Sequence, residues 1–111
     1  MHKFLLVTAI MASFVAVAAA ETFNDAPVLD VSCARIAAKD PDAHTRECAL
    51  QCQKSGFGIM TSDHKFLKFD SKGNSLVVDA LKKSDKNAHL RVDVSGDLKG
   101  DTLKVTSLKL L

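Results

Sequence analysis

From His89 onward the chain alternates strictly between apolar and polar positions. Leu90, Val92 and Val94 fall on one side of an extended strand, with Arg91, Asp93 and Ser95 on the other. Gly96 to Asp101 is rich in turn residues. Leu103 and Val105 then resume the alternation, and Leu108 and Leu110 continue it out of phase. One extra residue in a strand produces such a slip, so a β-bulge is expected near Thr106-Ser107. Two shorter apolar runs, Phe57 to Thr61 and Lys65 to Phe69, flank Ser62-Asp63-His64 and read as a hairpin. Histidine tolerates a positive φ better than most residues, so His64 is read as a turn residue. An earlier run, Pro27 to Cys33, reads as a first strand.

Helical signals separate these strands. Asp40-Pro41 has the form of a helix start, with proline at the first helical position, and good helix formers run from there to Lys54. Gly56 lies where a helix is expected to stop. A second helix, capped by Asn74 or Ser75 after an Asp70–Gly73 turn, carries Leu76, Val77, Ala80 and Leu81 as one apolar stripe. Five strands with a helix between the third and fourth is the order of an OB-fold barrel. The expected fold is therefore mainly β, a five-stranded OB-like barrel. One helix is inserted between strands 1 and 2 and another between strands 3 and 4. An open α+β sandwich of the same strands is the alternative.

The start of the chain has a different character. Met1-His2-Lys3 is a short basic opening, and Phe4 to Ala20 is apolar except for Thr8 and Ser13. Ala18-Ala19-Ala20 supplies a small-x-small cleavage pattern ahead of Glu21. Residues 1–20 are expected to be a cleaved export signal and 21–111 a single OB-like domain, periplasmic or secreted. No basic cluster follows the apolar run, which argues against a transmembrane anchor that persists after cleavage. No cysteine follows the cleavage point, which argues against a lipid anchor.

Charge narrows the function classes. Of fifteen basic residues only Lys3 lies in the leader, and all thirteen acidic residues lie beyond it, so the domain is almost neutral. Tyr and Trp are absent. A nucleic-acid partner would need a basic stripe with aromatic platforms, and neither is present. No Ser-His-Asp order, phosphate loop or apolar carboxylate pair supports a hydrolase. A protein or small-ligand partner for the barrel remains open.

The candidate chemistry lies in one stretch: Cys33, His44, Cys48 and Cys52, the last three spaced by four. On a regular helix residues four apart have Cβ atoms roughly 5–6 Å apart. A disulfide requires about 3.5–4.5 Å, so an intact helix forbids a Cys48–Cys52 bond. His44 and Cys52 would lie about 12 Å apart along the axis, too far to share one ion. Two ligand sets remain, Cys33 with Cys48 and Cys52, or Cys33 with His44 and Cys48, and both favour zinc or copper(I). The alternative is a structural disulfide from Cys33 to Cys48 or Cys52, with one thiol left over. Redox catalysis is disfavoured, because its signature is C-x-x-C.

These residues also carry a resemblance. Asp30-Val31-Ser32-Cys33, then His44-Thr45-Arg46-Glu47-Cys48 running on to Cys52, the Lys54-Ser55-Gly56 turn, the Thr61–Lys65 hairpin and Val92 to Gly96 recur as a set. In this set the chain resembles a group of small exported bacterial proteins of uncharacterised activity. The resemblance implies an OB-like barrel and no particular reaction. His64 stands where that group usually has glycine.

Overall fold

The structure, a computed structural model, describes residues 20–111. Apart from Ala20, the expected export signal lies outside the described residues. Five strands close a barrel: β1 (Ala20–Asp30), β2 (Phe57–Met60), β3 (Phe66–Phe69), β4 (Arg91–Lys99) and β5 (Thr102–Leu110). Around the barrel the order is β1-β2-β3-β5-β4. All pairings are antiparallel except β3 with β5. The OB-like barrel is therefore present, with helical segments in the β1–β2 connection and α3 (Ser71–Lys83) between β3 and β4. The core is the inward face of this barrel, built on Val28, Ile59, Leu67, Val92, Val94, Leu103 and Val105. Val77 and Leu81 from α3 belong to the same core. Among the described residues no helix is long and apolar enough to cross a membrane.

The phase slip in the last strand is a bulge at the expected place. Ser95 pairs with Ser107 and Gly96 with Val105, which leaves Thr106 as the extra residue. Its hydroxyl donates to the Ser95 carbonyl at 3.1 Å. His64 turns the hairpin at φ 63°, as its position suggested.

Three local expectations are corrected. The first strand begins at Ala20, not Pro27, and ends at Asp30, not Cys33. Its first half is exposed and pairs with β4 through polar residues, such as Thr22 hydroxyl to Ser95 hydroxyl at 2.9 Å, so no apolar alternation marks it. α3 starts earlier than Asn74: Asp70 caps it by accepting from Gly73 N at 3.0 Å, and its Oδ1 also accepts from Val105 N at 3.1 Å. The expected helix from Asp40 to Lys54 is broken. It becomes a 3-10 turn at Pro41–Ala43, a helix α2 at Arg46–Gln51 and a second 3-10 turn at Gln53–Ser55. The four-residue helix α1 (Ala34–Ala37) precedes them. The break falls at His44, which is extended, and Thr45 restarts the helix by accepting from Cys48 N at 3.1 Å. Thr45 competes with Asp40 as a cap and wins, because Asp40 makes no side-chain cap bond.

Arg91 and Asp93 share the outward face of β4 without pairing with each other. Arg91 instead reaches Asp42 with two parallel bonds, Nε to Oδ1 and Nη2 to Oδ2, each 3.0 Å. Its Nη1 donates to the Asp25 carbonyl at 2.8 Å, and Asp93 accepts from Asp25 N. This fork ties the β1–β2 connection to β4. The Arg91 hydrogen bonds hold the Asp42 carboxyl below its ordinary range, against an opposing contribution from burial. A carboxyl lowered in the folded state stabilises above its unfolded pKa, near pH 4, and that stability is lost as pH falls through the folded value. Arg91→Met is expected to lose about 1 kcal/mol at pH 7, since the pair is partly exposed. The loss shrinks towards pH 2, and urea midpoints across that range measure it.

Candidate metal centre

Among the described residues Asp30 is the one buried charged side chain, at 0 % exposure. Its position follows from the chain around it. The extended Val28 and Leu29 enter the core, and β1 ends where the Asp30 carboxylate caps the Val31–Cys33 turn. Oδ2 accepts from Ser32 Oγ at 2.6 Å and from Cys33 N at 3.0 Å. Oδ1 lies 2.6 Å from His44 Nε2. A carboxylate only accepts, so the hydrogen of that bond belongs to His44. The His44 side chain is itself only 7 % exposed.

A second set of bonds lays the end of α2 beside this turn. Val31 N donates to the Gly56 carbonyl at 2.8 Å, and Ser32 N donates to Ser55 Oγ at 3.1 Å. Ser55 Oγ in turn donates to the Cys52 carbonyl at 2.8 Å. The result brings Cys33 Sγ, Cys52 Sγ and a carboxylate oxygen of Asp30 within 4.8 Å of one another. Tetrahedral zinc, with bonds of 2.0–2.3 Å, holds such atoms about 3.6–3.8 Å apart. A contraction of roughly 1 Å, within the reach of side-chain rotation, would complete the set.

The predicted residues therefore take separate roles. Cys33 and Cys52 converge, and Asp30 joins them. Cys48 is exposed and lies outside that set, and His44 stands behind the carboxylate. Cys33, Cys48 and Cys52 are all free thiols. The broken helix explains this division, because Cys52 is the C-cap of α2 and His44 precedes it altogether. Asp30 was missed as a donor. The signal present in the sequence was an aspartate ending an apolar strand three residues before a cysteine.

Electrostatics limits the chemistry. Burial, followed by the neighbouring Asp30 carboxylate, pushes the Cys33 thiol above its ordinary range. An activated nucleophile needs the opposite shift. A carboxylate and two sulfurs facing one point form an environment suited to a cation, and the His44 bond orients the carboxylate as outer groups orient metal ligands.

A separate cleft of about 630 Å³ has Phe23, Ala26, Met60, Lys39, His64 and Arg91 among its lining residues. The fold and this cluster define an OB-like barrel with two thiols and a buried carboxylate gathered at the end of its first strand, a donor set that could hold a metal ion. No family model, curated protein or solved structure matches the chain.

Proposed function

We propose that this protein is an exported, non-enzymatic OB-like module that binds one thiophilic metal ion, zinc ahead of copper(I), through Cys33, Cys52 and Asp30. The observation carrying this reading is the approach of those three donors to within 4.8 Å around a fully buried carboxylate. Zinc ranks first because one donor is a hard carboxylate oxygen, which zinc accepts and copper(I) does not favour. Three protein donors leave a fourth tetrahedral position for solvent or a further ligand. Export rests on the basic, apolar and small-residue pattern of residues 1–20 and fits the group of small exported proteins that the chain resembles.

Zinc titration of the reduced protein, with metal content measured after gel filtration, is the test. One zinc per chain is expected. Cys33→Ser and Cys52→Ser should each weaken binding by more than about 100-fold, the upper end of losses seen for outer-shell changes alone. Cys48→Ser should leave binding unchanged. No zinc uptake, or an equal loss in Cys48→Ser, would overturn the assignment. Air-purified protein that carries a Cys33–Cys52 disulfide and takes up no metal even after reduction would favour a structural staple.

A further inference from the structure

We infer that the two thiols form a redox latch on the metal. Oxidation by a small-molecule disulfide closes a Cys33–Cys52 bond and expels the ion. This inference rests on the metal reading above and adds how the site is emptied.

The geometry selects one pair from three cysteines. Cys33 and Cys52 lie on backbones joined by the Val31–Gly56 and Ser32–Ser55 hydrogen bonds, and neither bond involves a sulfur or the ion. That frame holds the two side chains as neighbours whether or not metal is bound. Closing the bond takes the sulfurs from within 4.8 Å to about 2.0 Å by side-chain rotation. The carboxylate keeps its bonds to Ser32, Cys33 N and His44, so the turn survives loss of the ion. Cys48 lies outside the converging group and cannot replace Cys33 as the partner of Cys52: Cys52 N donates to the Cys48 carbonyl at 3.2 Å, so the turn between them is intact. Their Cβ atoms then stand roughly 5–6 Å apart, beyond disulfide reach.

The chemistry balances with one oxidant molecule. The Cys52 thiolate attacks one sulfur of the small disulfide, whose S–S bond breaks and releases one small thiolate. Cys33 then attacks Cys52 Sγ and displaces the second small thiolate. The protein loses two electrons to the oxidant, and the ion, having lost two donors, leaves with its charge matched by the two released thiolates. Both cysteines are partly exposed, so a small disulfide reaches them.

The test uses zinc-loaded, reduced full-length protein titrated with oxidised glutathione, with released zinc read by a chromogenic chelator and products by intact mass and peptide mapping. Zinc release should match oxidation one for one. The product should be lighter by two hydrogens, carry no glutathione and map to Cys33–Cys52, and dithiothreitol should restore binding. Cys48→Ser should behave in the same way. Zinc retained while Cys48 alone carries glutathione would overturn the latch and leave the metal site standing. Release accompanied by a Cys48-containing disulfide would also overturn the latch. Reduced protein that binds no zinc at all would remove both.

Discussion

Gly58→Ala is expected to destabilise the barrel by about 3 kcal/mol or more. Gly58 lies in the middle layer of a three-strand stack, opposite Leu29 of β1 and Lys68 of β3. A Cβ at this position would meet the Leu67 carbonyl oxygen at 2.2 Å and Phe66 Cζ at 2.6 Å. Phe66 Cζ is the far end of a side chain, but the Leu67 oxygen is part of the strand backbone. Relief therefore means moving β3 away from β2, which breaks pairing in a strand only four residues long. The comparison is Gly100→Ala. Gly100 has φ +62° and open space around its missing Cβ, so only the left-handed backbone penalty of roughly 1–2 kcal/mol applies. Urea midpoints with unchanged slopes measure both, and equal losses at the two positions would show that β2 and β3 do not approach so closely. Displacing β2 also disturbs Gly56, whose carbonyl holds the Cys33 turn, so zinc affinity should fall in Gly58→Ala but not in Gly100→Ala.

Much of this architecture is legible from residue order. Strand alternation survives translation into structure where one face is buried and the other wet, as in Leu90 to Val94. The Thr106 bulge is visible because it shifts that alternation. Legibility fails where tertiary pairing substitutes for apolar pattern. Glu21 to Asp25 form strand only because β4 offers them a partner, and nothing in their composition announces it. The helix across Asp40 to Lys54 misled for another reason. Both Asp40-Pro41 and Thr45 are good starts, and the choice is settled by distant residues: Arg91 holds Asp42, Asp30 holds His44, and the Asn87 carbonyl accepts from Arg46 N at 2.8 Å. The regular spacing of His44, Cys48 and Cys52 suggested a shared face, and that holds only on an unbroken helix. Cys33 enters every ligand set and disulfide that the spacing allows. Its carboxylate neighbour enters none, because an aspartate at a strand end reads as a solvated cap until His44 is brought over it.

Asp30→Ala should be among the most damaging single changes to this protein, at about 3–5 kcal/mol, the usual cost of breaking a buried, charge-assisted pair. Small domains have only 5–15 kcal/mol in total, so this variant would be marginal. It leaves His44 Nε2, Ser32 Oγ and Cys33 N without their acceptor, and the His44 side chain is only 7 % exposed. Asp30→Asn keeps the shape and one acceptor oxygen but turns an amide NH₂ towards a donor, so about 1–3 kcal/mol is expected. A purely structural role and a ligand role predict the same order for these losses in metal-free protein. Zinc separates them. A ligand that binds only the folded state at 100 times its Kd adds about 2.7 kcal/mol of stability. Wild type should gain that increment. Asp30→Asn, with a neutral oxygen in place of a charged one, should gain clearly less at the same zinc concentration. His44→Gln loses the bond behind the carboxylate but no donor, so it should start less stable and keep about half of the gain, as a roughly tenfold outer-shell loss of affinity would leave. An equal zinc-linked gain in wild type and Asp30→Asn would place the carboxylate outside the donor set and leave the two cysteines to hold the ion without it.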